Sequence, residues 1–119
     1  MVLLDAKVSL KEGETYEGKG KLHDNCLPIP LKFRVKKVLA TQVKVDIPRE
    51  SIQVVLTEKG SVVYLYQSFD YRDHEKVYQL RVYDSVTDLA NAILESNLNS
   101  FTASILTQLG VYDELFTEV

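Results

Sequence analysis

The sequence predicts an α+β protein: a strongly curved antiparallel sheet or small barrel of about seven strands, then a C-terminal helical segment broken near residues 97–100. Three observations carry this expectation. Short stretches of alternating polarity fill residues 2–83, at spacings that leave no room for crossover helices. Ser85-Val86-Thr87-Asp88 has the form of a capping box, and it opens an apolar-periodic stretch that Gly110 closes. Gly18 and Gly20 remove side chains from a core-facing row, as happens where a sheet bends or another backbone approaches closely.

The expected first strand places Val2, Leu4, Ala6, Val8 and Leu10 on one face and Asp5, Lys7 and Ser9 on the other. After the turn Lys11-Glu12-Gly13-Glu14, a second strand turns Tyr16, Gly18, Gly20 and Leu22 inward, opposite Glu17, Lys19 and Lys21. His23-Asp24-Asn25-Cys26 reads as a turn, and Pro28 and Pro30 keep the next approach extended. The third strand alternates Leu31, Phe33 and Val35 with Lys32, Arg34 and Lys36. Lys37 breaks the alternation, so a bulge or a strand end belongs there. Val43, Val45 and Ile47 form a fourth strand stopped by Pro48; Ile52, Val54 and Leu56 form a fifth, followed by the turn Glu58-Lys59-Gly60-Ser61.

The sixth strand, residues 61–71, is apolar on both faces, with Val62, Tyr64 and Tyr66 against Val63, Leu65 and Phe69. It is either central and covered on both sides, or it exposes tyrosines to a partner. In the seventh, Tyr78, Leu80 and Val82 alternate with Gln79 and Arg81. Beyond Ser85, Val86, Leu89, Ala90, Ile93 and Leu94 make one helical stripe. Leu98, Phe101, Ile105, Leu106 and Leu109 make a second, about 115° around the axis. A straight helix cannot aim both at one flat surface, and Ser96, Asn97, Asn99 and Ser100 favour caps where the stripe shifts. Two short helices are expected; the alternative is one long helix whose second half covers another molecule.

A strand meander that runs straight into a helix, Val77-Tyr78-Gln79-Leu80-Arg81-Val82-Tyr83-Asp84-Ser85-Val86-Thr87-Asp88-Leu89, resembles the pleckstrin-homology superfold. The resemblance implies two near-orthogonal sheets forming a barrel, with an amphipathic helix across one open end. The tryptophan usual in that family's helix has no counterpart, since the chain contains none.

A chain of 119 residues is read as one domain: a β meander over 1–84, a helical segment over 85–110 and a tail over 111–119. Apolar content of 45% with 26% charged residues is globular rather than disordered. The apolar start is too short and too acidic for a signal peptide, and no run is long enough to span a membrane. One cysteine excludes an internal disulfide and fits a reducing compartment, so a cytoplasmic location is expected, in a host if the chain is viral. Residues 1–48 carry nine Lys/Arg and six Asp/Glu, whereas residues 49–119 carry five and eleven, so the surface should be polarised.

Pairing of the second and third strands would put Lys19, Lys21, Lys32, Arg34 and Lys36 on one outward face. Such a row suits an anionic ligand, a lipid headgroup or nucleotide, because lysine and arginine bring charge and several donors. Lipid-binding pleckstrin-like domains use basic residues on early strands, so the resemblance points the same way and allows peripheral membrane contact. The plainer reading is a solvated sheet face. A net charge of −3 disfavours nucleic acid. His23-Asp24-Asn25-Cys26 and the group Asp70, Asp73, His74 and Glu75 read as exposed turns rather than a catalytic or metal site. No catalytic motif, metal site or cofactor motif is found.

Two surfaces are candidates for protein contact: Leu98, Phe101, Ile105 and Leu109 on the second stripe, and Tyr64 and Tyr66 in the tyrosine-rich hairpin. The expectation is a non-catalytic interaction or assembly module, able to self-associate. An anionic-ligand binder is the alternative. A small-molecule carrier with its pocket between sheet and helix is the third.

Overall fold

The computed structural model describes residues 10–22, 27–44, 49–70, 75–96 and 100–111. Five strands, β1 (Thr15–Leu22), β2 (Ile29–Lys44), β3 (Arg49–Thr57), β4 (Val62–Asp70) and β5 (Glu75–Tyr83), precede two helices, α1 (Val86–Ser96) and α2 (Ser100–Gln108). Each strand pairs antiparallel with the next, and β1 and β5 close the barrel. An up-and-down meander of five strands leaves its first and last strands running the same way, so that seam is parallel. It pairs Lys21 with Arg81 and Leu22 with Val82. Closure removes the sheet edges that would otherwise invite association.

The described strands number five, not seven. The expected first strand lies outside the described residues except for Leu10, as do the turns at 23–26 and 71–74 and the run 45–48. The expected third strand and the start of the expected fourth, Val43, lie on one strand: β2 continues through Lys37 by means of two register shifts, between Val35 and Lys37 and between Val38 and Ala40. Each bulge bends the strand without ending it. The first part of β2 therefore pairs with β1 and the second part with β3.

Alternation along the strands builds two apolar clusters on opposite sides of the barrel wall. Val35, Val55, Val63, Leu65 and Leu80 fill the interior, joined by Leu31, Val38 and the stacked rings of Tyr16 and Phe33, 5.1 Å apart. The wall is tight here: a Cβ at Gly20 would stand 2.6 Å from Leu31 Cδ1 and closer still to Leu80 Cδ2. Buried Gln53 is satisfied by the chain itself, accepting from Leu10 N–H at 2.9 Å and donating to Leu10 C=O at 2.8 Å.

The outer row Ile52, Val54, Val62, Tyr64 and Tyr83 meets Leu89, Ala90 and Ile93 of α1 and Ile105 and Leu106 of α2. β4 is thus central and covered on both sides. Ser85 caps α1, its Oγ accepting from Asp88 N–H at 3.1 Å, the N-cap half of the expected capping box. Gly110 ends α2 at φ 77°, with Gly110 N–H donating to Thr107 C=O (3.0 Å) and Val111 N–H to Leu106 C=O (3.3 Å). This is a Schellman motif, in which glycine takes the left-handed position without a Cβ penalty. Gln108 ties α2 to β2, accepting from Thr41 N–H and donating to Gln42 Oε1, both at 3.0 Å.

Candidate functional site

Where α1 and α2 lean over the outer face of β3, β4 and β5, the contact is incomplete and leaves a cleft of about 380 Å³. Strand register sets its floor: Ile52 lies opposite Tyr66, and Tyr66 opposite Gln79, while Tyr64 lies opposite Arg81 and Val62 opposite Tyr83. Leu89 and Ile93 from α1 and Phe101 from α2 supply the apolar roof. The volume falls within the range of small-molecule pockets, and the exposed lining is more polar than apolar, with Glu50, Gln79 and Arg81 among its polar side chains.

The polar groups of the cleft divide into two kinds. Tyr66 donates its hydroxyl to Glu50 Oε1 at 2.6 Å, and Lys44 Nζ lies 3.6 Å from the other oxygen of that carboxylate. Burial, together with that hydrogen bond, pushes the Tyr66 phenol up to about 12. Glu50 is therefore fully engaged within the protein. Tyr64 differs. Its side chain is 6% exposed and its hydroxyl is buried without a hydrogen-bond partner among the described residues. Burial pushes that phenol well above its ordinary value, with neighbouring Tyr66 and Tyr83 adding to the rise and Arg81 opposing it. A buried hydroxyl without a partner costs the free energy of its lost hydration, so native structures rarely keep one without a use.

The expected basic face is partly present. Lys19, Lys21, Lys32 and Arg34 project from the outer side of β1 and β2, opposite the inward pair Tyr16 and Phe33. Two of them already face acids: Lys32 Nζ is 3.5 Å from Glu17, and Arg34 Nε is 3.3 Å from Glu58. Lys36 sits exposed at the first β2 bulge, and Lys21 lies at the parallel seam beside Arg81. A second cavity, about 610 Å³, opens at the barrel mouth around Leu31, Phe33, Val63 and Val82, where the lining charges Arg34 and Glu58 pair with each other.

The second helical stripe is spent inside the chain. Ile105 is fully buried and Leu109 packs against the same cluster; Phe101 is half-buried at the cleft, and Leu98 lies outside the described residues. Tyr64 and Tyr66, singled out as an interface pair, instead form the cleft floor. Of the acidic group considered for metal, residues 71–74 lie outside the described residues, as do His23, Asp24, Asn25 and Cys26. Among the described residues no three metal-binding side chains gather, and no helix is long and apolar enough to cross a membrane.

Glu50, Gln79, Arg81 and Tyr83 were not singled out from sequence. The available signal was the polar row Gln79 and Arg81 on a strand whose neighbour, β4, is apolar on both faces. A polar row beside such a strand sits under whatever covers it. No protein-family model, curated protein or solved structure matches this chain.

Proposed function

We propose that this protein is a non-catalytic binding module that takes a small molecule into the cleft between its barrel and its two helices. The observation that carries the proposal is the Tyr64 hydroxyl, buried at the cleft floor and partnered by nothing in the described protein. A donor placed at the floor of a recess is how small-molecule sites fix the orientation of what they bind. The barrel mouth is larger, but the buried Tyr64 hydroxyl has no counterpart in its lining, where Arg34 pairs with Glu58 and Lys32 with Glu17 while Lys59 is exposed.

The reading of an assembly module rested on a helical stripe in need of a cover, and Ile105 and Leu106 are covered by this chain's own sheet. The reading of a basic docking face is weakened by Glu17 and Glu58, which interrupt the row at Lys32 and Arg34. Backbone amide chemical-shift mapping with a fragment set tests the proposal. Shifts should cluster at Arg81, Tyr83, Ala92 and Phe101. Shifts confined to the β1–β2 face or the barrel mouth, or none at all, would refute it.

A further inference from the structure

We infer that the cleft selects small organic anions, molecules with an apolar body and one carboxylate or phosphate group, held by Arg81 and the Tyr64 hydroxyl. The inference rests on the cleft being a ligand site and adds the class of ligand. It follows from the charges that face the cleft. Among the described residues lining it, two carry charge-bearing side chains, Glu50 and Arg81. Glu50 is neutralised, with Lys44 3.6 Å away and the Tyr66 hydroxyl donating at 2.6 Å. Arg81 has no carboxylate within salt-bridge reach and no hydrogen-bond partner among the described residues. The cleft is left with one uncompensated positive charge.

The barrel seam adds a second cation. β1 and β5 pair Lys21 with Arg81 in register, so both side chains leave the wall on the same side. Like charges set directly opposite one another in a sheet repel, and neither has an acidic partner among the described residues. An anion between them would turn that repulsion into attraction. Arg81 lies opposite Tyr64 on the neighbouring strand, so the guanidinium and the orphan hydroxyl rise from adjacent positions of one surface. A carboxylate or phosphate matches the planar fork of arginine, and its remaining oxygen can accept from the phenol. Leu89, Ile93 and Phe101 stand over the same space and suit an apolar body.

Isothermal titration with three ligands of one shape tests this: 2-naphthoate, 2-naphthyl phosphate and the neutral 2-naphthamide. Both anions should bind more tightly than the amide by about tenfold or more, the range expected of one charge-assisted pair. The tighter of the two identifies carboxylate or phosphate as the preferred group. Arg81→Gln should bring the anions to the level of the amide, whereas Arg81→Lys should keep part of the preference. Added salt should weaken the anions alone in the unmodified protein, a readout that needs no variant. If amide and acids bind equally, selection for anions is wrong while the cleft remains a ligand site. If none of the three binds, this inference falls together with the reading of the cleft.

Discussion

β4 packs against the barrel interior on one face and against the helices on the other, and the two contacts differ in chemistry. Inward, Val63 and Leu65 meet Val55, Leu80 and Val35, an aliphatic cluster beside which buried Gln53 is satisfied by the Leu10 backbone. Outward, Val62 and Tyr64 meet Leu89, Ile93 and Tyr83, with the Tyr64 hydroxyl unmatched and Arg81 beside it. The interior is filled as a core must be to hold a barrel closed. The outer contact is packed along its length except at one recess, and the polar groups there contribute little to holding the helices down. Different groups on one strand thus face the barrel core and the cleft.

Truncations on the two faces should have unequal costs. Leu65→Ala, inside a closed wall that cannot collapse, should destabilise by about 4 kcal/mol in urea unfolding. Leu89→Ala should cost less, about 3 kcal/mol, because α1 rests on the sheet beside an open cleft and can settle into the space. Equal or reversed costs would mean that the outer contact is as rigid as the core.

Alkaline titration sharpens the comparison, because both perturbed phenols belong to the outer face. Tyr66 is raised from 10.0 to about 12 and Tyr64 is raised further, so the folded chain holds these protons more tightly than the unfolded chain. Their contribution to stability is complete below pH 10 and declines as pH climbs past it; Tyr66's share is lost near 12, and Tyr64's at a higher pH still. Stability measured between pH 9 and 11, about the ordinary tyrosine value, should be flat at first and then fall. Tyr64→Phe should make the fall shallower, and an unchanged slope would detach it from the cleft.

Much of the outer architecture was legible before any coordinates. Counting angles along residues 86–109 separated two helices, because Ile93 and Phe101 cannot face one flat surface from a straight axis. The two apolar faces of residues 61–71 allowed either a strand covered on both sides or tyrosines exposed to a partner, and Val62 and Tyr64 lie under the helices. The strand count exceeded the described one, although Lys37 read as a bulge or a strand end; it is a bulge, which lets Lys36 and Lys37 stay exposed while the chain continues into Val38. The cleft was legible only in fragments. Tyr64, Tyr66 and Phe101 stood out as aromatic residues needing a surface, and they do line one, but it is internal to the chain. Arg81 read as an ordinary polar position, because its pairing with Lys21 depends on closure between strands remote in sequence. Local alternation carries no trace of that closure.

The smallest expected effect on stability tests the central claim most directly, that the Tyr64 hydroxyl is kept for a ligand and not for the fold. Tyr64→Phe removes one oxygen atom and preserves the ring that packs beneath α1. Its unfolding free energy in urea at neutral pH should equal that of the unmodified protein or exceed it by up to about 1 kcal/mol, since an unpaired buried polar group is lost. A loss of about 1 kcal/mol or more would show that the hydroxyl already has a partner within the folded chain, and would contradict the account.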